Sequence, residues 1–247
     1  MTKAFISYHH DNDQSYKVHL SEMATYFGCF EDGSVNTGDI SDDGRSSQAI
    51  RRQIRDVYLR DSQVTILLCG QETKHRKHVD WELKSSMIDG SVNHRSGILV
   101  INLPGVSSCW EANLPAEKYQ LYSDYYGGWA SFETRTDFEA RYPRMPDRII
   151  DQLVRVGVTI SVVPWERIEY DPNALRWLID ETAKQRFNNN YDLSRSMRRN
   201  DATSRLANAL TAKPHQTLLG MADARAPNDV ESRLAELFYT HPSSRNK

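Results

Sequence analysis

The segment QETKHRKHVDWELKSSMID (71–89) holds the residues of this 247-residue chain whose types and spacing best fit chemistry. If the segment is helical, Val79, Leu83 and Met87 share one face and would pack against a sheet. Glu82 lies beside this apolar stripe, where a carboxylate is partly desolvated and its pKa should rise. Because perturbed carboxyl groups are frequent at catalytic centres, the spacing indicates Glu82 as a candidate catalytic residue.

The same spacing permits two other interpretations. Glu82 could lie on the solvated face of the helix, paired with Lys77 or His78, and from spacing alone this is the favoured interpretation. The row formed by His75, His78 and Glu82 could instead hold a metal ion. Since the segment lacks both the H-E-x-x-H pattern and a neighbouring cysteine, we expect no metal site.

Short apolar runs alternate with segments of helical periodicity along the chain. This alternation predicts a parallel sheet with helices on both faces, an α/β fold. The predicted strands are Ala4–His9, Cys29–Phe30, Val64–Cys69, Gly97–Leu103 and Val158–Val163. Two segments do not fit the repeat, an aromatic-rich insertion at 104–146 and a polar tail from residue 188 onward. We therefore expect a domain at 1–188 that contains this insertion, and a C-terminal extension at 189–247.

Polar or aromatic connections follow four of the predicted strands. They are 9–13, the glycine-rich loop 32–47, 70–73, and the insertion after Leu103. Ligands bind outside the carboxyl ends of the strands in an open parallel sheet, so these connections predict a small-molecule site. His9 could bind a phosphate or orient a hydroxyl there, and an ordinary polar turn is an equally good interpretation.

Composition and motifs exclude several classes of protein. The chain has 31 Lys and Arg against 33 Asp and Glu, so it lacks the basic excess of a general nucleic-acid binder. It contains no G-x-G-x-x-G, P-loop or G-x-S-x-G motif, and Cys69-Gly70 stands where a phospho-receiver would have its aspartate. No apolar run approaches the roughly 20 residues of a membrane helix, and we expect no signal peptide. The three widely spaced cysteines predict a cytoplasmic protein with reduced thiols.

Five segments, taken together and in order, resemble a known family. They are FISYHHDND (5–13), NTGDISDD (36–43), TKHRKHVDWELKSSM (73–87), GILVINLP (97–104) and YPRMPDRIID (142–151). Over most of residues 3 to about 200, the chain resembles the bacterial TIR-like proteins of the Thoeris antiphage type, the ThsB-like group. The block at 78–82 carries most of this resemblance, because many unrelated strands share the FISY opening.

The resemblance implies a flavodoxin-like TIR fold, with five parallel strands in the order 2-1-3-4-5 and helices on both faces. Catalytic TIR domains cleave the bond between nicotinamide and ribose in NAD, using a glutamate on the third helix that matches Glu82. Thoeris-type members make a cyclic ADP-ribose isomer or an ADP-ribose conjugate, which activates a separate effector protein. NAD is then a substrate, and we expect no cofactor, no nucleic-acid partner and no membrane.

The resemblance also carries expectations about assembly and about the site. The loop 32–47 often contacts a neighbouring subunit, so we expect a homo-oligomer through TIR–TIR contacts, a phage-derived trigger and a weak or silent monomer. The expected catalytic residue is Glu82. The expected substrate-binding residues are Ser7, His9, Asp39, His78, Trp81 and Asn102.

Some of these site expectations are more specific. Asn102 would contact a sugar hydroxyl or the nicotinamide carboxamide. The rings of the insertion that could stack on the substrate are Tyr125, Tyr126 and Trp129. In some relatives a tryptophan stands four residues before the glutamate, where this chain has His78, whereas here Trp81 directly precedes Glu82. This departure bears on whether substrate stacking is preserved.

Three functions are consistent with the sequence. The first is an NAD-consuming enzyme that makes a signalling nucleotide. The second is a non-catalytic TIR-like scaffold that acts by homotypic assembly, for which the long loop, the insertion and the tail would serve. The third is an enzyme similar to nucleoside ribosyltransferases, which also use a carboxylate at an anomeric carbon.

Overall fold

Five parallel strands form a single sheet in the order β2-β1-β3-β4-β5. They are β1 (Lys3–Ser7), β2 (Glu31–Asp32), β3 (Val64–Cys69), β4 (Gly97–Asn102) and β5 (Ser161–Pro164). Every residue of β3 and β4 is buried, because the chain covers both faces of these central strands. The sheet confirms the predicted α/β flavodoxin-like TIR fold and its strand order.

The computed structural model describes residues 1–34, 52–90, 93–112, 114–122 and 134–198, which all belong to one compact unit, Met1–Ala202. The α-helices are α1 (Gln14–Phe27), α2 (Lys77–Met87), α3 (Pro115–Leu121), α4 (Arg135–Arg141), α5 (Asp147–Leu153) and α6 (Pro172–Gln185). Shorter turns are a π-helical segment at Ile54–Tyr58 and 3-10 turns at Thr73–His75, Trp165–Arg167 and Arg186–Asn188. Over the described ranges, no helix is long and apolar enough to cross a membrane.

Alternate residues of the strands face two different layers of helices. Ile6 of β1 lies in a core cluster with residues of α1 and α6. Leu67 of β3 faces the other layer, in a cluster that contains Val79, Leu83 and Met87 of α2. The predicted apolar stripe of α2 therefore packs on the sheet, and this packing sets the position of the neighbouring residues on that helix.

The helix predicted from Thr73 onward is wrong at its start. Thr73–His75 form a 3-10 turn, the backbone is extended at Arg76 (φ −83°, ψ 121°), and α2 begins at Lys77. The Thr73 hydroxyl causes this break, because it accepts a hydrogen bond from the Gly70 backbone N–H at 2.8 Å and holds the turn against the end of β3. His75 is consequently not in a helical row with Glu82.

Two strands begin later than the sequence predicts. The chain between α5 and β5 turns at Gly157 (φ +82°), and the Thr159 N–H bonds to the Asn189 side chain at 2.7 Å instead of to the sheet. β5 therefore starts at Ser161 and not at residue 158. Similarly, the buried Cys29 and Phe30 lead the chain from α1 back to the sheet, and pairing with β1 starts at residue 31.

The insertion at 104–146 contributes α3, α4 and an antiparallel bridge between Glu111 and Val162 at the edge of β5. Its residues 123–133 lie outside the described part of the chain, as do 199–247 of the predicted extension. The described part of that extension packs on the domain. For example, Gln152 of α5 donates to the Asp192 carbonyl at 2.9 Å and accepts from the Asp192 N–H at 2.7 Å.

Candidate active site at the carboxyl edge of the sheet

Glu82 is buried where α2 crosses the end of β1. Its side chain is 2% exposed, and its Oε2 accepts a hydrogen bond from the Ser7 hydroxyl at 2.6 Å. Burial raises the pKa of Glu82 to about 8, and the hydrogen bond from Ser7 opposes this rise. The expected upward shift of the pKa is confirmed, and the interpretation of Glu82 as a solvated surface residue is wrong.

Two contacts between α2 and the sheet hold Glu82 in place. One is the bond from Ser7, which is the last residue of β1. The other lies one helical turn further on, where the Ser86 and Thr65 hydroxyls are 2.7 Å apart. Ser86 also donates to the Glu82 carbonyl oxygen at 2.8 Å. Because both contacts are buried, the position of the Glu82 carboxyl group follows from the packing of α2.

His9 presents a buried N–H group at the same edge of the sheet. Its Nδ1 accepts hydrogen bonds from the backbone N–H groups of Asp11 and Asn12, at 3.2 and 3.3 Å. In the neutral ring the proton must then be on Nε2. Nε2 is buried and has no hydrogen-bond partner among the described residues. His9 can therefore donate to a ligand oxygen.

Asn102 presents a buried acceptor two strands away. It is the last residue of β4 and pairs in register with Cys69, the last residue of β3. Its Nδ2 lies 3.4 Å from the Cys109 carbonyl oxygen, and its Oδ1 has no partner within the described part of the chain. Buried polar atoms without partners cost free energy, so a native fold that retains them at one edge is typical of a ligand site.

The region that contains these residues matches a known family. Residues 5–108 match the family described as Thoeris protein ThsB, TIR-like domain. This region is a ThsB TIR-like domain. Over this region, which is fewer than half of its 247 residues, the chain is similar to the Thoeris ThsB proteins. No curated protein matches the chain at a significant level.

The TIR-like domain has a second buried carboxyl group at the same edge, which sequence reasoning missed. Asp13 packs so closely on Gly70 that a Cβ at this glycine would lie 2.4 Å from the carboxylate. Burial raises the pKa of Asp13, while the nearby His9 and a hydrogen bond from Thr73 oppose the rise. The signal in the sequence was the glycine directly after a buried strand, where the backbone must let another group approach.

Two expected substrate-binding residues lie in or beside the core of the TIR-like domain. Trp81 is fully buried with Phe5 and Ile54, and its indole N–H donates to the Arg198 carbonyl at 2.7 Å. The His78 ring packs edge-on against Trp81 at 5.2 Å between centroids. Stacking of Trp81 on a substrate would require this packing to open, and its role stays a prediction.

The structure brings together Ser7 and Glu82 in direct contact, with His9 and Asn102 at the same edge of the sheet. Asp39 of the predicted set lies outside the described residues. The same holds for the insertion aromatics Tyr125, Tyr126 and Trp129.

Proposed function

We propose that this TIR-like domain cleaves the bond between nicotinamide and ribose in NAD, with Glu82 as the catalytic carboxylate. The observation that supports this most is the setting of Glu82. It is buried. Among the described residues, its carboxyl group has the neutral Ser7 hydroxyl as its one hydrogen-bond partner and no cation forms an ion pair with it. Such a carboxyl group is set to respond to a positive charge brought by a ligand.

The chemistry needs one carboxylate and no general acid. Nicotinamide is positively charged in NAD and departs as a neutral molecule, taking the electron pair of the bond between N1 and ribose C1′. The ribose is left with oxocarbenium character, and a carboxylate close to it lowers the barrier electrostatically. Water at C1′ then gives ADP-ribose and a proton, whereas a hydroxyl or other nucleophile gives a cyclic isomer or a conjugate.

The protonation state of Glu82 fits this scheme. With a pKa of about 8, Glu82 holds its proton at neutral pH in the free domain. A bound nicotinamide cation favours the ionised carboxyl group, since opposite charges within a few ångströms lower the pKa of an acid. Substrate binding thus releases the proton and creates the carboxylate at the point where it is needed.

The unpartnered groups at the sheet edge are suited to orient the substrate. The Nε2–H of His9 would donate to a ribose or diphosphate oxygen. The Oδ1 of Asn102 would accept from a ribose hydroxyl or from the carboxamide of nicotinamide. Ser7 would keep its hydrogen bond to Glu82 while the carboxyl group changes its charge.

We extend the proposal to the product because the matched family belongs to Thoeris defence. The ADP-ribosyl group would leave the enzyme as a signalling nucleotide, a cyclic ADP-ribose isomer or a conjugate, and activate a separate effector. Activity would depend on TIR–TIR assembly and on a phage-derived trigger.

The test is mass spectrometry of NAD incubations, with and without lysate from phage-infected cells. The wild type should release nicotinamide and a product at, or derived from, the mass of ADP-ribose. Glu82→Gln should lower the rate at least about a hundredfold, the usual scale for losing one preorganised electrostatic group. The exposed Glu72 provides the matched control, and Glu72→Gln should keep the wild-type rate. Wild-type turnover by Glu82→Gln would refute the role of Glu82.

One observation favours a second function, a non-catalytic scaffold. A glutamate that is 2% exposed and hydrogen-bonded to a serine is also what a structural residue looks like. A scaffold would consume no NAD in any assembled or triggered state. It would also protect cells from phage equally well as wild type and as Glu82→Gln. The NAD assay and a phage challenge of the same two proteins therefore separate the two functions.

A further inference from the structure

A cavity of about 210 Å³ lies at the amino edge of the sheet, at the opposite ends of the strands from Glu82. Its lining comes from the segments before β3 and β4 and from the end of α6. The lining residues are Asp61, Ser62, Gln63, Asn93, His94 and Arg186. The volume is below the roughly 300 Å³ at which drug-sized sites begin, so it suits a small molecule.

Two buried polar atoms in this lining have no hydrogen-bond partner in the described part of the chain. They are the Ser62 hydroxyl and the Oδ1 of Asn93, in residues that are 4% and 6% exposed. The Asn93 amide nitrogen donates to the Arg55 carbonyl at 2.7 Å, which leaves the oxygen as the unsatisfied atom. Both atoms lack a hydrogen bond among the described residues, a state that costs free energy unless a ligand or water meets them.

The third element of the cavity is the positive charge of Arg186, which has no ion-pair partner within 4 Å among the described residues. The Arg186 guanidinium forms no ion pair or hydrogen bond within the described part of the chain, and its Nε is buried without a partner. It lies over the Phe187 ring at 4.5 Å, which shields one of its faces from water. Burial lowers the pKa of Arg186 and the negative charge of Asp89 opposes this, although an arginine stays charged in proteins.

The other charged groups at the cavity are already paired. Asp61 is 73% exposed on its side chain and lies 3.8 Å from Arg60. His94 and Arg95 both contact Asp89, at 3.2 and 3.4 Å. Arg186 is therefore the cation that is left to attract a ligand at this edge of the domain.

We propose that this cavity is a second ligand site, which binds the phosphate group of a small phosphorylated molecule. Arg186 and the Ser62 hydroxyl donate to phosphate oxygens, and Asn93 Oδ1 accepts from a hydroxyl group of the same ligand. Guanidinium and hydroxyl donors are the usual partners of a phosphate group. The site is independent of NAD cleavage, because parallel strands place their amino and carboxyl ends at opposite edges of the sheet.

Calorimetric titration of the full-length protein tests this proposal with inorganic phosphate, ribose 5-phosphate and neutral ribose. Phosphate or ribose 5-phosphate should bind the wild type, and ribose should not. Arg186→Gln should weaken anion binding at least about tenfold, since a charged hydrogen bond to phosphate is lost. Arg144→Gln removes an exposed arginine elsewhere and should bind like wild type. Glu82→Gln should also bind normally, which keeps this result separate from the proposed NAD cleavage.

Ser62→Ala is a second variant, and we expect it to keep the fold. Removing an unsatisfied buried hydroxyl costs no hydrogen bond, so its melting temperature should equal or exceed that of the wild type. Its affinity for the anion should still fall, by about threefold or more. Tighter binding of ribose 5-phosphate than of phosphate would identify a phosphorylated metabolite as the source, and equal binding would identify free phosphate. No binding of either anion, or wild-type affinity in both Arg186→Gln and Ser62→Ala, would overturn the proposal.

Discussion

Helix α2 carries two buried carboxyl groups only two residues apart, and their surroundings are opposite in kind. Asp80 is 7% exposed and Glu82 is 2% exposed. Asp80 faces α5 and the chain that follows it, where it meets a cation. Glu82 faces the sheet, where its carboxyl group accepts a hydrogen bond from the neutral Ser7 hydroxyl. Both groups are buried, but Asp80 forms a structural ion pair on one side of the helix and Glu82 has a raised pKa on the other.

The Asp80 side is a network of charged and backbone groups. Arg148 donates through Nε and Nη2 to Asp80 Oδ1, both at 2.8 Å, and the Arg198 N–H donates to Asp80 Oδ2 at 2.9 Å. Arg148 also donates to the carbonyl groups of Arg195 and Ser196, each at 3.2 Å. This network ties α2 to α5 and to residues 195–198.

The effect of burial on a carboxyl group thus depends on whether a charged partner is buried with it. Where Arg148 compensates the lost hydration, the carboxylate holds structural elements together. Where the neutral Ser7 hydroxyl takes that place, burial favours the protonated form of Glu82. The protonation state of Glu82 then becomes sensitive to the charge of a ligand.

The largest expected effect comes from breaking the Asp80 side. Asp80→Asn leaves Arg148 buried without an anion, which costs about 3–5 kcal/mol of unfolding free energy in comparable cases. Urea unfolding at pH 7 measures this loss. The matched control is Asp56→Asn, because Asp56 is 58% exposed on its side chain and should change stability by less than about 0.5 kcal/mol. A loss below about 1 kcal/mol for Asp80→Asn would show that the network is not a stabilising pair.

The second effect is a gain in stability from Glu82→Gln, whereas Asp80→Asn lowers stability. Between pH 4.5 and about 8 the folded protein keeps the Glu82 proton that the unfolded chain has lost, so this group makes wild-type stability fall as pH rises. Glu82→Gln has no such proton and should gain stability relative to wild type over that window, by at most about 1.4 kcal/mol per pH unit. Unfolding curves at pH 5, 6, 7 and 8 measure the difference. A constant difference across these pH values would contradict the raised pKa.

The smallest effect concerns Ser7 and rests on the proposed NAD cleavage. The Ser7 hydroxyl lowers the pKa of Glu82, so Ser7→Ala should raise it further, by about one unit if the bond is an ordinary charged one. The rising limb of kcat/KM for NAD against pH should then move to higher pH. Thr25→Val removes an exposed hydroxyl on α1 that bonds to the Ser21 carbonyl, and it should leave this limb in place. If the rising limb of kcat/KM stays at the same pH in Ser7→Ala, the titration of Glu82 does not control activity.

Much of the fold could be predicted from local pattern. The continuous apolar run of β3 is typical of a strand covered on both faces, and the stripe on α2 predicted which side of the helix packs on the sheet. The stripe placed Glu82 beside the packed face, but spacing alone favoured a solvated side chain, and the family resemblance made it the candidate. The break at Arg76 could not be predicted, because it depends on Thr73 meeting the end of β3.

The alternation of strands and helices, the family resemblance and the candidate carboxyl group could be read from the order of residues, since each depends on neighbours along the chain. The partners of each buried group depend instead on how the chain folds. Ser7 reaches Glu82 across 75 residues, and Arg148 reaches Asp80 across 68. Because a pKa depends on the burial of a group and on the charges near it in space, the pKa of Glu82 is set by the folded chain that surrounds it.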